Sequence, residues 1–120
     1  MIKALLFENA EGCVFGFQIE DHGEGIVCSA VSMLAFNTIN SIEAFTGEDF
    51  VCDYPDKGDG HITFRVPSLM DGPGGETKSG AGLLLASLAL GLRSIAEEYP
   101  DQITIKEVKP DENNTDVFRP

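Results

Sequence analysis

Two side chains in the first third of the chain could do covalent chemistry together. Cys28 falls in the first turn of a segment with helical periodicity, and His22 lies earlier, on the connection leading into it. Free backbone N–H groups and the positive end of the helix dipole both favour a thiolate at such a position. The same N–H groups could hold a developing oxyanion, with the amide of Ser29 as one candidate donor. A histidine within reach of the sulfur would serve as its base. No third orienting group is evident. Asp21 and Glu24 are near in sequence, but sequence neighbours often point apart. Ser32, one turn after Cys28, shares its helix face. It either hydrogen-bonds near the site or bonds back to the carbonyl of Cys28. The inert alternative is that Cys28 is a small hydrophobe packed under the helix and His22 a solvated loop residue.

The remaining thiols and the second imidazole read as structural. Cys13 and Cys52 sit in predicted strands, where no helix end activates them. Three cysteines without a CxxC spacing suggest neither a disulfide framework nor a metal site. The histidines form no HxxxH pair, so no metal or other cofactor is expected. His61 begins a strand beside a turn and reads as an exposed strand-edge residue. A redox sensor built on Cys28 would need Cys13 or Cys52 within disulfide reach.

The elements that must position these residues follow from periodicity. Residues 2–8 read as a strand. Asn9-Ala10-Glu11-Gly12 is a turn, with Gly12 tolerating positive φ. In residues 13–20, Cys13, Phe15, Phe17 and Ile19 alternate toward the core, which closes a hairpin. Gly16 marks a bulge or a close backbone approach. A polar loop carrying His22 leads to a helix over about 27–46, stopped by Gly47 in a left-handed cap. Residues 49–54 and 61–66 are strands around the turn Asp56–Gly60. A long loop over 67–78 precedes a helix over 79–98 that is apolar nearly all round. Such a helix packs one face on the sheet and offers another to a partner. Residues 102–108 form the last strand, with a break of phase near 107. The order ββαββαβ predicts an α+β fold of two layers, a largely antiparallel sheet with two helices on one face. Residues 1–108 are expected to form a single domain, and 109–120 a polar, frayed tail.

The chain has 120 residues and a net charge of −12. That length is one ordinary domain. The charge disfavours phosphate backbones, so direct nucleic-acid binding is not expected. It suits a basic partner, or serves solubility alone. No signal peptide is apparent. The longest apolar run, around Leu83 to Leu92, is too short to span a bilayer. No membrane is expected, and a reducing cytoplasm suits the thiols.

The stretch from Gly25-Ile26-Val27-Cys28-Ser29-Ala30-Val31-Ser32 to Glu43 resembles the ribosomal-processing cysteine protease family (Prp, YsxB-like). The length and element order are also similar. The resemblance implies a cysteine endopeptidase with Cys28 as nucleophile and His22 as base. It implies a substrate too: a basic large-subunit ribosomal protein of bacteria, from which a short N-terminal extension is removed. It further implies a homodimer. The chain departs from the family pattern in three places. Gly-His-Ala reads Asp21-His22-Gly23, an acid gives way to Gly25, and the loop between His22 and Cys28 is shorter. The competing reading is a non-catalytic binding module or assembly factor that escorts a basic ribosomal protein; it has no need of an activated thiol.

Overall fold

The computed structural model describes residues 1–20, 25–53, 61–70 and 80–109. In chain order these form β1 (Ile2–Glu8), β2 (Val14–Glu20), α1 (Gly25–Phe45), β3 (Val51–Asp53), β4 (His61–Arg65), a 3-10 turn at Pro67–Leu69, α2 (Ala81–Glu98) and β5 (Ile103–Val108). One sheet joins all five strands in the order β3-β4-β2-β1-β5. Every pairing is antiparallel except that of β1 with β5, which is parallel. This is the expected α+β sandwich.

The β1–β2 hairpin is closed by a side chain. Asn9 Oδ1 accepts the amides of Glu11 and Cys13, each at 3.0 Å. Its Nδ2 donates to the Leu69 carbonyl at 2.9 Å, which ties the turn to the 3-10 segment. Asn9 is buried, so all three bonds are shielded from water. Gly12 has φ +86°, the left-handed conformation expected of it.

A bulge lies just beyond the turn. Phe7 pairs with Gly16 but Glu8 pairs with Val14, leaving Phe15 as the extra residue on β2. The bulge corrects the simple alternation. Cys13 precedes the strand and is half-exposed, while Val14 is buried. Gly16 makes the close approach that its type suggested. A Cβ there would stand 2.3 Å from the Phe64 carbonyl oxygen and 2.8 Å from the Arg65 Cα.

Register separates the two faces of the sheet. Ile2, Ala4, Leu6, Phe17, Ile19, Ile62, Phe64 and Ile103 lie on one face and are all buried. Glu107 shares that face through its pairing with Leu6 and bonds Arg93 of α2 at 2.9 Å, which places α2 there. Helix α1 lies beside α2 and buries Val27, Val31, Ala35, Thr38, Ile39 and Ile42 in the same core. The helices meet closely at Gly91, where an added Cβ would stand 3.0 Å from Leu34 Cδ1.

The break of phase in β5 is not an irregularity. Ile103 faces the helices, and Val108 pairs with Phe7 on the opposite face, where both are buried. The β1–β5 pair thus buries apolar side chains on both faces of the sheet.

Several boundaries are corrected. Helix α1 starts at Gly25, two residues early, because Gly25 adopts φ +79° and can open the first turn. Gly47 closes it at φ +70°, as expected. The strand expected over 49–54 is described only at Val51–Asp53. His61 lies on an inner strand, between β2 and β3, and is half-buried rather than an exposed edge residue. By length and composition α1, not the 83–92 run, is apolar enough to cross a membrane. Its buried stripe is that of a core helix. Most of the 67–78 loop, the turn at 56–60 and the tail from 110 lie outside the described residues.

Candidate active site

Cys28 is the fourth residue of α1. The amides of Gly25, Ile26 and Val27, ahead of it, precede the first bond that the helix can make to itself. Val27 and Val31, buried at 4% and 1% exposure, pin this turn to the core. Cys28 sits at the flank of that stripe, half-buried and packed against the core cluster. Such a position packs the side chain against the core on one side.

The electrostatics of the first turn are simple. It contains no acidic side chain. No carboxylate within the turn offsets the positive end of a 21-residue helix dipole. A negative charge on sulfur is favoured by both the dipole and the open amides.

The other candidates separate. Ser32 lies one turn further on the same flank, half-buried. Thr38, Thr46 and Ser94 bond back to the carbonyl four residues earlier. Among the described residues Ser32 makes no such bond, which leaves its hydroxyl available on the Cys28 side. Ser29 is exposed, and its amide is the fifth of the helix, so it competes for the Gly25 carbonyl. His22 lies outside the described residues, between the end of β2 at Glu20 and the start of α1.

His61 is no substitute. It pairs with Glu20 on the sheet face opposite the helices, and its Nε2 lies 3.4 Å from Thr63 Oγ1. Cys13 stands at the hairpin turn and Cys52 on β3, both half-exposed, and no disulfide forms among the described residues. Among the described residues no cluster of three His, Cys, Asp or Glu could hold a metal ion.

A thiol at a helix N-terminus over a five-stranded sheet can now be set beside known proteins. The family model for cysteine protease Prp matches residues 1–104. The ribosomal processing cysteine protease Prp of Staphylococcus aureus is 34% identical over 111 residues, covering 88% of this chain and 97% of that protein. Its counterpart from Bacillus subtilis is 23% identical over 111 residues, covering 88% and 96%. The crystal structure of the S. aureus protease with a covalently linked product peptide superposes with a TM-score of 0.76. It is 28% identical and covers 90% of this chain and all of that one. The same protease with a substrate peptide gives a TM-score of 0.75 at the same identity and coverage.

The chain is a cysteine protease, a hydrolase. It belongs to the Prp family.

Proposed function

We propose that this chain removes the N-terminal extension of a bacterial large-subunit ribosomal protein, with Cys28 as nucleophile and His22 as general base. The observation that carries the residue assignment is the place of Cys28 in the acid-free first turn of α1. A relative that holds a product peptide covalently and a substrate peptide in separate structures supports peptide hydrolysis. The net charge of −12 would draw in a basic ribosomal protein.

In this reading His22 takes the thiol proton, or the two rest as an ion pair. The thiolate adds to the scissile carbonyl, and open amides of the first turn hold the oxyanion, with Ser29 contributing where its amide is shared. Collapse of the adduct expels the amine, which takes the proton from His22. Water, deprotonated by His22, then hydrolyses the thioester and regenerates the thiol. Ser32 supports the sulfur from the next turn. No cofactor or metal takes part. The protein acts in the cytoplasm as a homodimer. Exposed Ile26 and Met33 on α1, and Leu83 and Leu90 on α2, supply apolar surface for the partner.

The test is the pH dependence of Cys28 alkylation by iodoacetamide in the wild type and in His22→Ala. Labelling should persist well below the ordinary thiol range of about 8.5 and weaken in the variant. Cys28→Ala should abolish cleavage of a ribosomal-protein substrate while thermal unfolding stays cooperative. Cleavage surviving in Cys28→Ala would end the proposal.

A further inference from the structure

The sheet face turned away from the helices holds a buried charge that the protease mechanism does not use. Arg65, the last residue of β4, is 5% exposed. It pairs with Val51 on one side and Gly16 on the other, and Gly16 pairs in turn with Phe7 and Phe7 with Val108. These five residues make one row across the sheet. Phe7, Gly16 and Val108 are buried and Val51 is half-buried. The guanidinium carries five N–H donors, yet among the described residues it has no hydrogen-bond or ion-pair partner.

The side chain is also held in place. The Cβ of Arg65 lies only 2.8 Å from the ideal Cβ position of Gly16, so the base of its side chain takes the space that a larger residue there would fill. The next residue, Val66, is fully buried and its amide donates to the Phe15 carbonyl at 2.9 Å. An unpaired buried cation is costly to keep. A fold that fixes one, with room made for its stem by a glycine, has the form of a site awaiting a counter-ion.

We propose that Arg65 is the buried cation of a carboxylate-binding site on the sheet face opposite the helices, separate from the thiol. A guanidinium fork matches a carboxylate in two parallel hydrogen bonds. The same face carries Asp53 in the next row, nearer than the Glu20–Lys3 pair in the row beyond, so a singly charged group is repelled less than a doubly charged phosphate. The apolar row suits a carboxylate borne on an aliphatic or aromatic body. Entry is from the side of β3, an edge strand of three residues whose Val51 is half-buried. The carboxylate comes either from a small free acid or from the end of a peptide.

The experiment titrates the full chain with propionate, with a short apolar peptide bearing a free C-terminal carboxylate, and with its C-terminal amide, at constant ionic strength in chloride. The Arg65 Nε–H resonance should shift and saturate with the acids and not with the amide. Melting temperature should rise by roughly 5 °C at ten times the dissociation constant, and that rise should vanish in Arg65→Met. Peptide acid binding about tenfold or more tighter than propionate assigns the carboxylate to a peptide; equal binding assigns it to a free acid. No saturable shift at Arg65 with either acid overturns the proposal, as does an equal rise in Arg65→Met or tighter binding of inorganic phosphate. Should Arg65→Met not fold, the resonance titration of the wild type decides alone.

Discussion

Replacing Gly16 by Ala tests the tightest contact in the sheet. The added Cβ would meet the Phe64 carbonyl oxygen at 2.3 Å, where ordinary contact begins near 3.4 Å. The difference, 3.4 − 2.3 = 1.1 Å, must come from the backbones of β2 and β4, because the opposing atoms are main-chain and cannot rotate away. Gly16↔Arg65 is the last rung in register, and the Val66 amide bonds the Phe15 carbonyl just beyond it, so the strands part there only by straining that bond too. Overpacking of this kind costs about 1–3 kcal/mol, and a weakened rung adds about 1 kcal/mol. The alanine stiffens the unfolded chain and returns about 0.4–1 kcal/mol. The net loss is about 1–4 kcal/mol, which for a domain of this size lowers the melting temperature by roughly 4–15 °C. Urea unfolding should give an unchanged slope with a lower midpoint. The rung lies at the opposite end of β2 from the connection to α1, so the folded variant should cleave normally. A variant within about 0.5 kcal/mol of the wild type would refute the close-packing argument.

Other substitutions probe the hairpin and the helix pair. Asn9→Ala removes three hydrogen bonds from a buried turn and should cost about 2–4 kcal/mol by denaturant titration. Asn9→Asp keeps the two amide acceptor bonds, loses the donor to Leu69, and should fall between. Gly91→Ala offers the opposite expectation to Gly16→Ala. Its Cβ would meet only the ends of the Leu34 side chain, at 3.0 and 3.3 Å. That side chain can turn, and the helix gains about 1 kcal/mol of propensity. Melting should show a neutral or stabilised protein; a clear loss would mean that the helix contact is as rigid as the sheet.

Much of this architecture can be read from residue types, and the remainder is of a different kind. Asn9 and Gly12 announce the turn because side-chain oxygen and positive φ are local properties. Gly16 announces a bulge or a close approach, and the structure contains both. The helix termini are marked by Gly25 and Gly47 for the same local reason. Strand partners are not local: alternation in Ile103 and Ile105 identifies a buried face but not the neighbour, so the parallel pairing with β1 does not show in sequence. Nor does burial on both faces near Phe7 and Val108, which instead looks like lost phase. At the site, the helix start and the thiol are legible together because capping and dipole depend on adjacent residues. Arg65 is not legible, since an arginine ending a short strand reads as solvated. The only sequence signal for it was a glycine one strand away.

The parallel pairing of β1 with β5 bears on how the molecule is assembled during synthesis. Residues 2–8 leave the ribosome well ahead of β5, and their inner edge is paired at once by the adjoining β2. Their outer edge matches Ile103 through Val108, six rungs supplied only after both helices have emerged. Until then the middle of the sheet presents an unpaired margin, and Ile2 and Ala4 lack the neighbours that bury them. Loop closure of about 100 residues must be completed before that margin is sealed. Synthesis therefore passes through a stage in which the nascent protease is most exposed to mispairing with other chains, and a chain cut short before Ile103 would stay there.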